Sequence, residues 1–101
     1  MVAVCVGRVG ELPPGRMAEV TAADGRPYLV CNVGGEFYAV DGRCPHRGAP
    51  LAYGALHEHT VVCPWHGWEF DCRTGRGVCG DVATARITIE EDRIYLHAGT
   101  A

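Results

Sequence analysis

The sequence contains no lysine: its nine basic residues are all arginine, and twelve acidic residues leave a formal charge of −3. A weakly acidic chain lacks the basic footprint with which proteins neutralise nucleic-acid phosphates. Long apolar runs are missing too. The longest, Met1 to Val6, falls far short of the ~20 residues needed to cross a bilayer. The start shows neither the charged and apolar regions of a secretory signal nor a twin arginine. These absences predict a chain that meets neither nucleic acid nor membrane and works in the cytoplasm, where cysteines bind metal more often than they form disulfides.

Helical periodicity is also absent, since apolar positions nowhere recur at helical spacing over ten residues. With no repeat, low-complexity tract or linker, the 101 residues are expected to form one domain over 1–101. A chain this short has a modest core, and a bound metal would help to staple it.

Turn signals are plentiful. Asp24-Gly25 separates Met17 to Thr21 from Pro27 to Val33, and Gly34-Gly35 separates that segment from Glu36 to Val40. Both pairs suit tight hairpin turns, so three short antiparallel strands are expected. Thr84 to Ile89 alternates polar and apolar residues, Glu91-Asp92 turns the chain, and Arg93 to His97 completes a closing hairpin. Pro13-Pro14-Gly15 marks the exit from a first strand. The fold class is therefore all-β.

Between these strand groups, residues 42 to 81 hold both tryptophans and carry no net charge, with Arg43, Arg47, Arg73 and Arg76 offset by Glu58, Glu69, Asp71 and Asp81. Function is expected in this loop-rich stretch. It contains two dyads, Cys44-Pro45-His46 and Cys63-Pro64-Trp65-His66. Each offers a thiolate and an imidazole from a proline-stiffened loop, a donor set for zinc, copper or iron-sulfur. A tetrahedral zinc site is one reading. Structural zinc usually pairs cysteine with cysteine and histidine with histidine, whereas a mixed pair per loop suits a two-iron cluster, one iron on Cys44 and Cys63 and the other on His46 and His66.

Cys44-Pro-His46-Arg-Gly and Cys63-Pro-Trp-His66-Gly-Trp resemble the two cluster-binding boxes of Rieske iron-sulfur proteins. The likeness extends to Glu11-Leu-Pro-Pro-Gly before them and to Phe70-Asp71 and Thr74-Gly75 after them. It implies a Rieske-type fold, an antiparallel β-sandwich base with a small loop-rich lobe over about 43–81. The lobe would hold one [2Fe-2S] cluster on Cys44, His46, Cys63 and His66. Pro45, Gly48, Pro64 and Gly67 would shape the loops, and backbone N–H groups would bond to sulfur. Two thiolates and two neutral imidazoles balance the charge of the oxidised core, so an electron is added more easily than to a four-cysteine cluster, at roughly −150 to +300 mV.

Three departures refine this. Respiratory Rieske proteins carry a disulfide between the loops, where this chain has Ala49 and Trp65. They also place serine and tyrosine hydroxyls where Trp68 and Phe70 stand here. Without those donors to the reduced cluster, the potential is expected at the low end of the range. The covering loop, Gly77-Val-Cys-Gly-Asp81, contains no proline. Cys5, Cys31, Cys72 and Cys79 read as packing residues. Trp65 and Trp68 would pack and shield the loops, with stacking on a partner's cofactor as the other reading, and His57, His59 and His97 would face solvent.

The chain has no room for the mononuclear iron domain of the family's oxygenases and no dinucleotide fingerprint. The resemblance thus implies an electron carrier rather than an enzyme: a monomeric Rieske-type ferredoxin passing electrons from an NAD(P)H-dependent flavin reductase to a terminal ring-hydroxylating oxygenase, with transient docking around His46 and His66. The alternatives are the small subunit of an assimilatory NAD(P)H nitrite reductase and, from another class, a structural zinc module that recruits a partner.

Overall fold

Strand boundaries follow the turn chemistry. Gly34 and Gly35, at φ +61° and +98°, form the two-residue turn of a hairpin whose last pair is Val33 and Glu36. Glu91 and Asp92 form an equivalent turn without glycine, at φ +49° and +68°, between the paired Glu90 and Arg93. The Asp24-Gly25 turn is wider than expected. Ala22 donates its N–H to the Arg26 carbonyl at 2.9 Å, Gly25 alone of the pair has positive φ, and Asp24 Oδ1 accepts from the Arg26 N–H at 2.9 Å.

The computed structural model describes residues 3–45, 48–65, 67–77 and 80–97. Among them are nine strands: β1 (Ala3–Arg8), β2 (Met17–Thr21), β3 (Pro27–Val33), β4 (Glu36–Asp41), β5 (Ala55–His57), β6 (Thr60–Val62), β7 (Glu69–Asp71), β8 (Thr84–Glu90) and β9 (Arg93–His97). Short 3-10 turns occupy Val9–Glu11 and Leu51–Tyr53. Every strand pairing is antiparallel. Six strands form one sheet in the order β1-β9-β8-β4-β3-β2, and β5-β6-β7 form a second. The protein is all-β, as its sequence implies.

The expected sandwich is two halves of one continuous sheet. They meet where β4 pairs with β8 over only Ala39–Ala85 and Val40–Thr84. Tyr28, Val30 and Ala39 from one half pack with Ile94 and Leu96 from the other, and Leu12 and Ala22 close that core. The opposite face of β3 supplies Leu29 and Cys31 to a second core, shared with Val61, Phe70 and Cys72 of the small sheet region. Residues 28–32 are thus buried on both sides. The small sheet is not legible in the sequence, because strands of three residues are too short to display a two-residue period.

Asn32 is the buried polar side chain among the described residues. Its Nδ2 donates to the Leu12 carbonyl at 2.7 Å and its Oδ1 accepts from Gly35 N–H at 2.8 Å, tying the first strand's exit to the glycine turn. Cys5, expected in the core, is exposed on edge strand β1, beside a bulge between Cys5 and Gly7 that shifts the register with β9. In urea unfolding, Leu29→Ala is expected to cost about 2–5 kcal/mol by leaving a cavity between β3 and the small sheet. Asn32→Ala is expected to cost about 1–3 kcal/mol by stranding the buried Leu12 carbonyl.

Candidate metal centre

Both cysteine boxes close by the same hydrogen bonds. In the first loop, Cys44 N–H donates to the Ala49 carbonyl at 2.9 Å, and the Cys44 carbonyl accepts from Gly48 N–H at 2.7 Å. In the second, Cys63 N–H donates to the Trp68 carbonyl at 2.7 Å, and the Cys63 carbonyl accepts from Gly67 N–H at 3.2 Å. Gly48 and Gly67 both adopt the left-handed region, at φ +71° and +69°, where a Cβ is disfavoured by about 1–2 kcal/mol per residue. The common element is Cys-Pro-x-x-Gly, present in both boxes and sufficient, in retrospect, to indicate twin loops.

Each loop is polarised. Cys44 and Cys63 are 2% exposed and belong to one core with Ala49, Leu51, Val61 and Phe70. Pro45, Gly48, Pro64 and Gly67 are exposed, and Trp65 is 56% exposed. The thiols therefore sit at the inner ends of loops whose tips face solvent. His46 and His66 lie outside the described residues, as do Arg47, Val78 and Cys79.

The seats of the loops are built from backbone bonds. Arg43 bridges Pro50, and Leu51 N–H donates to the Gly42 carbonyl at 3.0 Å. The second loop runs between β6 and β7, which pair through Val61–Phe70. Phe70 in turn bridges Gly77, and Asp71 N–H donates to the Arg76 carbonyl at 2.8 Å. Asp41 Oδ1 accepts from Arg43 N–H at 3.1 Å, and the Arg43 guanidinium pairs with Glu19.

Beyond the loops, Asp71 accepts two side-chain bonds from Arg73, at 3.1 and 2.8 Å, and a third from its backbone N–H at 2.8 Å. Those bonds hold the Asp71 carboxyl down to about 2. Cys72, just past β7, meets Cys31 of β3 through a thiol–thiol hydrogen bond. That bond, with burial, pushes the Cys31 thiol far above its ordinary value, and the same bond pulls Cys72 below its own against the opposing effect of burial.

The other expected roles divide. Trp68 is half-buried against the core around Cys44 and Cys63, whereas Trp65 is largely exposed. Phe70 is buried at 1%. His57 is exposed as expected. His59 and His97 are half-buried instead: His59 meets the Tyr38 ring edge-on with centroids 5.6 Å apart, and His97 Nε2 is 2.7 Å from Thr88 Oγ1. Cross-strand placement decides both contacts, and residue type alone carries no sign of it.

The donor chemistry fits a cluster of the Rieske kind. Two thiols brought into one apolar core would be costly to ionise there without a cationic metal centre to compensate them. Their loops close by the same two backbone bonds, which present the two cysteines alike.

Comparison with known proteins agrees. The family described as the Rieske [2Fe-2S] domain matches residues 2–89. The chain is 36% identical over 91 residues to the biphenyl 2,3-dioxygenase ferredoxin component of Rhodococcus jostii, covering 86% of this chain and 84% of that protein. It is 39% identical over 101 residues to apoptosis-inducing factor 3 of Homo sapiens, covering 95% of this chain but only 16% of that much longer protein. Among solved structures, a chain in the complex of reduced oxygenase and oxidized ferredoxin of carbazole 1,9a-dioxygenase superposes with a TM-score of 0.90 at 27% identity, covering 95% of this chain and 93% of that one.

Two measurements probe this architecture. Gly48→Ala and Gly67→Ala are each expected to lower unfolding stability by about 1–2 kcal/mol, with open space around both positions making backbone strain the whole effect. Because the Asp71 pKa is depressed, its contribution is full above the ordinary carboxylate value of about 4 and is lost as pH falls toward 2. The stability gap between wild type and Asp71→Asn should therefore narrow over that window, and by a small amount, since both partners are partly solvated.

Proposed function

Because the chain belongs to the Rieske [2Fe-2S] family and carries one cluster of that type, we propose that it is a one-electron carrier, the ferredoxin of a ring-hydroxylating oxygenase system. It takes electrons from an NAD(P)H-dependent flavin reductase and delivers them to a terminal oxygenase, acting as a cytoplasmic monomer. The observation that carries this reading is the polarity of the twin loops: buried cysteines beneath exposed tips.

When bound, the cluster stores and releases a single electron. Cys44, His46, Cys63 and His66 would hold it, the two cysteines from the core side. The apolar wall of Leu51, Val61 and Phe70 excludes water from the sulfur side. The exposed Pro45, Gly48, Pro64, Trp65 and Gly67 leave the loops within reach of a partner, so transfer needs only a small, rapidly released interface. The likeness to biphenyl dioxygenase ferredoxin and the carbazole dioxygenase complex supports the oxygenase as recipient. No helix among the described residues is long and apolar enough to cross a membrane.

Purified protein is expected to be red-brown, to bleach with dithionite and to give a rhombic EPR signal on reduction. Cys44→Ala, His46→Ala, Cys63→Ala and His66→Ala should each abolish iron, sulfide and signal together. A colourless protein with one zinc per chain after anaerobic reconstitution would overturn the proposal in favour of a zinc module, and co-purification with a sirohaem protein would favour the nitrite reductase subunit. With Trp68 and the buried Phe70 supplying no hydroxyl, the potential is expected near the low end of the Rieske range, about −150 mV. A value well above zero would contradict that argument.

A further inference from the structure

The carboxylate of Asp81 closes a strap that follows β7. Its Oδ1 accepts from the Gly77 N–H at 3.1 Å, four residues back along the chain. The strap runs from Gly75 to Val82, and its two ends meet where the Val82 N–H donates to the Gly75 carbonyl at 2.7 Å. At its start, Gly75 N–H donates to the Asp71 carbonyl at 2.7 Å, and the Arg76 carbonyl accepts from Asp71 N–H at 2.8 Å. At its end, Val82 enters the core that contains Cys44 and Cys63. Val78 and Cys79, between these points, lie outside the described residues.

Close approaches show what the strap rests on. A Cβ on Gly77 would lie 2.6 Å from Phe70 Cδ1 and 2.3 Å from the Gly80 carbonyl oxygen, which leaves no room for a side chain. A Cβ on Gly80 would lie 3.9 Å from Trp68 Cζ3, in ordinary contact with the indole. Phe70 and Trp68 in turn pack into the core of Cys44 and Cys63. The strap therefore lies against an aromatic layer, and that layer lies against the core of the two cysteines.

Residue type alone does not keep the strap in that place. Three of its eight residues are glycine and none is proline, so its backbone has many conformations open to it and ordering it is costly. An ionised carboxylate that accepts a backbone N–H makes one of the stronger hydrogen bonds available to offset that cost. We propose that Asp81 is a positioning residue for the cluster: by fixing Gly77 it holds the strap against Phe70 and Trp68 and so limits the access of water to the sulfur ligands. This rests on the reading that Cys44 and Cys63 hold the cluster.

Water access bears on both the lifetime and the potential of the cluster. With two thiolates and two neutral imidazoles the oxidised centre is neutral, and reduction leaves it with a negative charge. Water stabilises the charged form, so a strap held down keeps the potential low and a released strap raises it. A released strap also exposes the aromatic layer, through which a chelator would reach the iron.

The test uses holoprotein with iron and sulfide assayed in every sample, and cluster loss to excess EDTA followed by visible absorption. Asp81→Ala is expected to lose its cluster about fivefold faster than wild type, the factor implied by one lost hydrogen bond. Asp81→Asn, whose side-chain oxygen still accepts from Gly77, should lose it at nearly the wild-type rate. Removing the charge raises the potential in both variants, and Asp81→Ala should stand the higher of the two because water also gains access. Hydrogen exchange read by mass spectrometry should be faster over residues 75–82 in Asp81→Ala than in wild type or Asp81→Asn. Equal cluster loss in wild type and Asp81→Ala, loss from Asp81→Asn as fast as from Asp81→Ala, equal potentials in the two variants, or an unprotected 75–82 segment in wild type would each overturn the proposal. The wild-type exchange measurement does not require any variant to fold. Wild-type protein without iron and sulfide would overturn the cluster reading itself, and the proposal with it, an outcome distinct from any difference among the variants.

Discussion

Strand β3 has protein on both faces, and the remainder of the structure hangs on that double burial. One face, through Tyr28 and Val30, joins the two halves of the large sheet. The other, through Leu29 and Cys31, receives the small sheet and the two cysteine loops. Alternation of side chains along one strand therefore couples the base to the site: a shift of β3 by one residue would exchange its two faces and dismantle both cores together.

The site is built from this platform by repetition. Two Cys-Pro-x-x-Gly loops close by the same pair of backbone bonds, with a glycine at the turn and a cysteine at the buried end. Buried sulfur and exposed tip are separated by only a few residues in each loop. This gives a redox group protection from water on one side and access to partners on the other, a compromise that loops alone could not hold without the rigid sheet behind them. Cys31 and Cys72 lie in the core between that sheet and the small one.

Much of this is legible in the chain. Gly34-Gly35 and Glu91-Asp92 mark their hairpins because their positive φ values are local demands. The antiparallel base follows from alternation over strands of five to seven residues. The small sheet is hidden by its three-residue strands. The exposure of Cys5 is hidden as well, because residue type says nothing about whether a strand lies at an edge.

By itself, the sequence determined the available donors, two cysteines and two histidines at fixed short spacing, and the turns that join antiparallel strands. Donor spacing and turn geometry depend on residues a few positions apart, so they survive in the linear order. Tertiary structure alone decided that Cys31 and Cys72 share one core, that His59 meets Tyr38, and that Trp65 is exposed while Trp68 packs. Those outcomes depend on the register of distant strands and on which face each one buries, a property of the assembled cores rather than of any segment.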